Sequence, residues 1–445
     1  MNLLDWLKPG LQVKRWMTIG IVGILLFASA IAGFVVDIGV ELRGWIAILI
    51  GGVGVFFVIY SIRSGLASLL RLMDIPNPMT GRMDRSKINK KLHDQRILNR
   101  GPKIVVIGGG TGLSVLLRGL KCFTSNITAI VTVGDDGGGS GKLREDLGML
   151  PPGDIRNCIL ALADMEPTME KLLQYRFQEG ALKGQSFGNL LIAAMNGISE
   201  NFEDAIKKIS EVLAVTGNVL PVTLEDMTLY AKLENGSVIK GESDIPLKSI
   251  EQQSAIEQIF IKPKGARALK EAIEAIEQAD AIILGPGSLY TSVVPNLLVK
   301  EIGETLKNAS GLRFYIPNLM TQPGETDDYS LIEHINAVIS HCNGLELDYV
   351  IANKEGISGF IQEKYYSEGA KFVKVTEVDR QQLKKMNIKL IERDLVDIKK
   401  DYVRHDAITL SKIIVDRVLQ EKLATDRNRI LDYFYIREAI KRNDN

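Results

Sequence analysis

An α/β fold, a mostly parallel sheet covered by helices on both faces, is what the apolar pattern predicts over residues 103–445. Three observations carry the reading. Short Ile/Val-rich runs at 103–107 and 127–133 break into glycine-rich turns. These runs are continuous rather than alternating, as in strands buried on both faces. Further runs then alternate with segments whose apolar residues recur three and four apart, the helical period.

The first hundred residues follow another rule. Residues 16–36 and 44–62 are uncharged and apolar, and each is long enough as a helix to cross a hydrocarbon core of about 30 Å. Residues 37–43 leave room only for a tight turn, so a transmembrane helical hairpin over residues 1–62 is expected rather than a cleaved signal. Lys8, Lys14 and Arg15 precede the hairpin, and Arg63, Arg71, Arg82, Arg85, Lys87, Lys90 and Lys91 follow it. By the positive-inside bias both ends lie in the cytoplasm, with Trp16, Trp45 and Tyr60 near the interfaces. Residues 63–102 read as a basic juxtamembrane linker suited to anionic lipid, with Pro76 and Pro78 ending any helix that enters it.

The chain's formal charge of zero conceals a segregation, since residues 1–102 carry +7 and residues 103–445 carry −7. The soluble part has no basic excess, which argues against nucleic acid. Cys122, Cys158 and Cys342 show no CxxC spacing and suit a reducing compartment.

Beyond the first two strand–turn units, helices are expected at 156–164, 169–177, 189–196 and 202–213. Residues 227–234 alternate, Asn235-Gly236 turns, and 237–241 returns, which reads as an inserted β-hairpin. Alternation then resumes: helix 264–278, strand 281–284, helix 291–306, strand 313–316, helix 329–341, strand 349–351. Residues 407–442 read as two closing helices.

In an open parallel sheet, ligands collect beyond the carboxyl ends of the strands, near a topological switch point. Four turns stand at such ends: 108–114, 134–142, 285–291 and 318–326. Glycine backbone there lets amides approach a ligand, and phosphate is the usual guest. The dinucleotide pattern fails because Leu113 stands where its third glycine belongs, and the phosphate-loop pattern fails because Leu143 replaces the Ser or Thr after Lys142. Gly109, Gly110, Thr111, Gly112, Gly287, Ser288 and Thr291 are therefore candidates for diphosphate contact outside both common fingerprints. Asp135 and Asp136 could hold a ribose or, with a diphosphate, magnesium; capping of their own turn is the alternative. Asp154 suits an N-cap, and Arg156 has the planar fork for bidentate phosphate or carboxylate contact. Ser186 and Asn189 open a helix and offer hydrogen bonds to a sugar or base. His334 and His341, seven apart, lack partners for a metal set, and Ser140 misses the nucleophile-elbow pattern.

Six blocks together, Gly108-Gly-Gly-Thr-Gly-Leu-Ser114, Val133-Gly-Asp-Asp-Gly-Gly-Gly-Ser-Gly141, Pro151-Pro-Gly-Asp-Ile-Arg-Asn157, Gln185-Ser-Phe-Gly-Asn-Leu-Leu191, Gly285-Pro-Gly-Ser-Leu-Tyr-Thr291 and Met320-Thr-Gln-Pro-Gly-Glu-Thr326, resemble the gluconeogenesis-factor (YvcK) branch of the CofD-like family. The resemblance spans 103 to about 420. It implies a Rossmann-like core whose binding cleft includes Asp154, Arg156 and Asn157, with Ser140, Ser186 and Asn189 nearby. In that branch members resemble UDP-sugar-binding regulators, with UDP-N-acetylglucosamine as the type ligand, that support cell-wall synthesis, cell shape and growth on gluconeogenic carbon. In the CofD branch they transfer a phospholactyl-type group from a guanylyl diphosphate with Mg2+. The expectation is a membrane-anchored nucleotide-sugar regulator, with a magnesium-dependent transferase as the alternative. The partners it implies are a UDP-sugar or other nucleotide diphosphate, the membrane, cell-wall synthesis proteins and a second copy in a homodimer.

Overall fold

The computed structural model describes residues 13–36, 41–72, 97–342, 344–357, 359–399, 401–424 and 437. The chain divides into two compact units, Met1–Ile88 and Asn89–Asn445.

In the first unit, α1 (Val13–Val36) and α2 (Glu41–Leu72) pack along glycines. A Cβ on Gly23 would lie 2.8 Å from the Gly54 carbonyl oxygen, and one on Gly54 2.7 Å from that of Gly23, so the two backbones touch. Outward-facing Leu25, Trp45, Leu49, Phe56 and Ile62 are exposed. The stretch Trp45–Ser64 is long and apolar enough to cross a membrane; in α1 the corresponding apolar stretch is the shorter Thr18–Ala32. Most of the expected turn at 37–43 and of the basic linker lies outside the described residues.

The second unit is built on a seven-stranded sheet. Its first strands are β1 (Ile104–Gly108), β2 (Ile127–Val131) and β3 (Asn218–Pro221). β4 (Thr228–Leu233), β5 (Val238–Lys240) and β6 (Ile256–Lys262) form a separate antiparallel sheet in the order β5-β4-β6. The main sheet continues with β7 (Ala281–Leu284), β8 (Leu312–Tyr315), β9 (Tyr349–Asn353) and β10 (Lys389–Arg393). Its order is β10-β9-β8-β7-β1-β2-β3, and every neighbouring pair is parallel. β11 (Val396–Lys399) and β12 (Tyr402–His405) close a two-stranded hairpin.

β1 and β7 are buried along their whole length, which is why they read as unbroken apolar runs. β4 alternates buried and half-buried residues, as a hairpin covered on one face must. The expected hairpin therefore exists but gains β6 as a third strand. Two helices differ from expectation. The one expected at 264–278 starts only at Lys270, after Pro263 and Gly265. The one expected at 291–306 is broken into a wide turn Leu289–Val293, a short helix Val294–Leu297 and a helix Lys300–Asn308. Of the two closing helices, Ala407–Val418 is present and the region of the second lies almost wholly outside the described residues.

The chain runs outward from β1 to β3, then crosses to β7 on the other side of β1. The strand order thus reverses between β1 and β7, and a crevice opens beyond their carboxyl ends.

Candidate functional site

The four glycine-bearing turns leave β1, β2, β7 and β8, which are neighbours in the sheet, so all four converge at one edge. β1 breaks directly into α3 (Gly110–Leu120), whose N-terminal amides face the crevice. Gly110 has φ +67°, a conformation that side chains rarely adopt. Gly112 meets the turn after β7 closely: a Cβ there would lie 2.7 Å from the Pro286 carbonyl oxygen and 3.1 Å from the Gly287 nitrogen. Close packing of the two loops, rather than turn geometry, is what forbids a side chain at this position.

The two loops form one wall of a cavity of about 610 Å3, lined by Gly109, Gly110, Thr111, Gly112, Gly287 and Ser288. Gln322 donates to the Ser288 hydroxyl at 2.7 Å and accepts from Asn318 at 2.8 Å, which ties the β8 turn to the β7 turn. Further lining comes from sequence that carries no glycine signal: Tyr365, Glu368, and Tyr402, Arg404 and His405 of the β11–β12 hairpin. Tyr365 accepts from the Val403 amide at 3.0 Å and so fastens the hairpin to the neighbouring helix. Burial pushes the His405 ring down to about 4, so it is neutral at physiological pH.

Arg156, Asn157, Ser186 and Asn189 come together as a cluster. α4 (Gly138–Leu147) and α5 (Gly153–Leu162) carry Ser140 and Arg156, and α6 (Pro167–Gln174) and α7 (Phe187–Gly197) follow. One Arg156 nitrogen donates to Ser186 and, at 2.7 Å, to Asn189; the other donates to Asn157 at 2.9 Å. Ser186 also caps α7, accepting the Asn189 amide at 3.2 Å. The capping role and the polar cluster are therefore served by the same hydroxyl.

Asp136 is committed to backbone, accepting from the Glu242 and Ser243 amides at 3.1 and 3.0 Å and from the Ser243 hydroxyl at 2.8 Å. It pins the end of the hairpin insertion to the β2 turn. Asp135 accepts the Gly137 amide at 2.9 Å through one oxygen. Its other oxygen lies beside Gly153, near the Ser140 hydroxyl. Asp154 sits behind Gly109 and accepts the Gly110 amide. Thr291 is buried behind the cavity wall and donates to Glu325 at 3.3 Å.

Glu242 and Glu325, which the sequence did not single out, join Asp135, Asp136 and Asp154 in an acidic cluster. Burial, helped by the Asp135 charge and opposed by Gly110 and Arg156, pushes Asp154 up to about 6. Burial and the charges of Asp135, Glu325, Asp136 and Asp154 push Glu242 up to about 8. Burial raises Glu325 to about 7, and its second oxygen is buried without a partner. Among the described residues no three His, Cys, Asp or Glu side chains gather at metal-binding spacing. His334 and His341 are tied to backbone, His334 to the Ser330 carbonyl and His341 to the Ile259 amide.

A parallel sheet with two glycine loops meeting at its switch point defines a Rossmann-like α/β fold. The family model for the 2-phospho-L-lactate transferase CofD matches residues 104–396, and the chain belongs to this family, in its gluconeogenesis-factor (YvcK-like) branch. A Clostridium acetobutylicum relative is 50% identical over 446 residues, covering 100% of this chain and 98% of that protein. The Bacillus subtilis protein named Gluconeogenesis factor is 46% identical over 320 residues, 72% of this chain and 99% of its own length. The crystal structure of a UPF0052-family protein from Bacillus halodurans superposes with a TM-score of 0.67 at 45% identity, covering 70% of this chain and 98% of that one.

Proposed function

We propose that the protein is a membrane-anchored regulator that binds a nucleotide diphosphate sugar of the UDP-N-acetylglucosamine type in the 610 Å3 cavity. The observation that carries the reading is the meeting of the Gly109–Gly112 and Pro286–Ser288 backbones at the switch point. There the Thr111 and Gly112 amides of α3, next to the Gly110 amide that Asp154 accepts, face the place a diphosphate would occupy. Tyr365, Tyr402 and Arg404 also line the cavity and bring aromatic and cationic side chains to it. The apolar helix pair of the first unit supplies the anchor, and the family's association with gluconeogenic growth and cell-wall synthesis supplies the physiological setting, with a second copy and cell-wall enzymes as the partners this reading entails.

Magnesium fits only as a companion of the diphosphate. Without a three-ligand cage among the described residues, and with Glu368 the one carboxylate lining the cavity, the ion would be held mainly by phosphate oxygens and water.

One observation favours a second reading, a transferase of the CofD type. Burial brings Asp154, Glu325 and Glu242 up to about 6, 7 and 8, the range in which general acids and bases work. Transfer from a diphosphate also runs largely on positioning and electrostatics. Calorimetric titration with UDP-N-acetylglucosamine, UDP-glucose and GDP, with and without magnesium, followed by chromatography of the incubated ligand, separates the readings. The regulator binds a UDP-sugar and returns it intact. Release of UMP, UDP or GMP sinks the regulator, and absence of binding by every nucleotide sinks both.

A further inference from the structure

A second cavity of about 660 Å3 lies beside the first and shares Thr111, Val115, Arg404 and His405 with it. Its cations are Arg118, Arg156, Arg176, Lys399 and Arg404, against the carboxylates Glu170 and Asp397. Those two carboxylates are already matched: Glu170 pairs with Arg118 at 2.9 Å and Asp397 with Lys399 at 2.6 Å. Arg156, Arg176 and Arg404 have no carboxylate within ion-pair distance among the described residues. Arg176 donates to the Gly184 carbonyl, a neutral acceptor.

Arg156 is the telling member. All its hydrogen bonds run to neutral oxygens, and its Nε–H is buried with no acceptor. Burial first, and the Arg176 guanidinium second, disfavour its charge, while Asp154 and Asp135 act in the opposite sense from beyond ion-pair range. A half-buried guanidinium facing a second guanidinium across a cavity is an arrangement that an anion relieves.

We propose that this groove is a separate binding site for a small phosphomonoester. Planar guanidinium forks from different elements match the several oxygens of one phosphate, and the groove's formal excess of positive charge suits a dianion. The four shared lining residues make the wall between the two cavities common to both. Occupancy of one therefore biases the other, and the anion becomes a second input to the nucleotide-sugar site. The coupling rests on the proposed function; occupancy of the groove does not.

The test uses the full chain in detergent and calorimetry with glucose 6-phosphate, inorganic phosphate and citrate as probes, each alone and at saturating UDP-N-acetylglucosamine. Glucose 6-phosphate is expected to bind in both conditions. Its affinity should fall about tenfold or more in Arg176→Gln, the loss expected for one charged hydrogen bond, and by less in Lys399→Gln, whose ammonium Asp397 already matches. Neither variant should change nucleotide-sugar affinity more than about threefold. Tighter binding of citrate than of glucose 6-phosphate would replace the phosphomonoester with a carboxylate. Competition between glucose 6-phosphate and the nucleotide sugar would merge the two cavities into one site and overturn the proposal. So would wild-type affinity in both folded variants, or no probe bound by the wild type at millimolar concentration. Because glucose 6-phosphate is also measured alone, failure of the nucleotide sugar to bind leaves the groove's result readable.

Discussion

Replacing Gly112 by alanine tests the contact on which the site is built. The added methyl would lie 2.7 Å from the Pro286 carbonyl oxygen, 2.9 Å from its carbon and 3.1 Å from the Gly287 nitrogen. All three atoms are backbone, so no side chain can swing aside. The turn after β7 must retreat by several tenths of an ångström, or α3 must. Overpacking of this kind costs about 1–3 kcal/mol, and the displaced loop would carry the amides meant for the diphosphate out of line. Urea unfolding of the wild type and Gly112→Ala should show that loss as a lower midpoint with an unchanged slope. Nucleotide-sugar affinity, measured on the same samples under native conditions, should fall at least tenfold, because a loop held off its position by more than thermal motion loses several hydrogen bonds at once. Gly110→Ala is the internal control. A Cβ there meets only the Ser292 hydroxyl, at 3.6 Å, so the cost is the left-handed backbone at φ +67°, about 1 kcal/mol. Wild-type stability and affinity in Gly112→Ala would mean that the two loops do not meet.

The remaining predictions concern charge, the polar cluster and the anchor. Asp154 has its folded pKa raised to about 6, so its neutral form is the one the fold prefers. Its contribution is fully present below its unfolded value and is lost as pH rises through about 6, which for a buried group is roughly 2–3 kcal/mol. Asp154→Asn should flatten the fall in stability between about pH 4 and 6, and an unchanged pH profile would remove the assigned burial. Arg156→Ala should destabilise by about 1–3 kcal/mol by stranding Ser186, Asn189 and Asn157, whereas Arg156→Lys, which keeps the charge without the fork, should recover only part of the stability; wild-type stability of Arg156→Lys in urea unfolding would show that the fork geometry is irrelevant. Reporter fusions at Leu42 and after Arg100 should report outside and inside respectively, and removal of residues 1–75 should leave a soluble domain that binds as before. An external signal after Arg100 would break the hairpin topology.

Which parts of this could be read from the sequence follows from burial. β1, β2, β7 and β8 are buried nearly throughout, so their composition had to be apolar; glycines follow the first three closely, and Pro317 follows β8. β3 is four residues long at the sheet's edge and ends in Pro221, which leaves no pattern to recognise. β6 alternates irregularly because a bulge shifts its register against β4. Pro295 and the extended backbone at Val299 divide the helical pattern of 291–306, and apolar spacing alone does not show where such a division falls.

The site divides along the same line. The glycine walls were legible because close backbone approach leaves only glycine, as at Gly112 against Pro286. Glu325 lay inside a recognised block but announced no role, and Glu242 lay in an insertion; only folding sets them among Asp135 and Asp154. Tyr365, Tyr402 and Arg404 reach the cavity through the β11–β12 hairpin and the helix fastened to it, contacts that no local pattern encodes. Asp136, chosen as a ligand contact from its neighbours in sequence, is a pin for residues 242 and 243, a partnership set by a chain crossing more than a hundred residues away.

A crystal structure of the protein with UDP-N-acetylglucosamine tests the central claim most directly. The diphosphate is expected at the amino end of α3, within hydrogen-bond distance of the backbone amides of 111–112 and 287–288, with the base or sugar against Tyr365 or Tyr402. A diphosphate found instead in the Arg156–Arg176 groove, or bound away from both glycine loops, would contradict that claim.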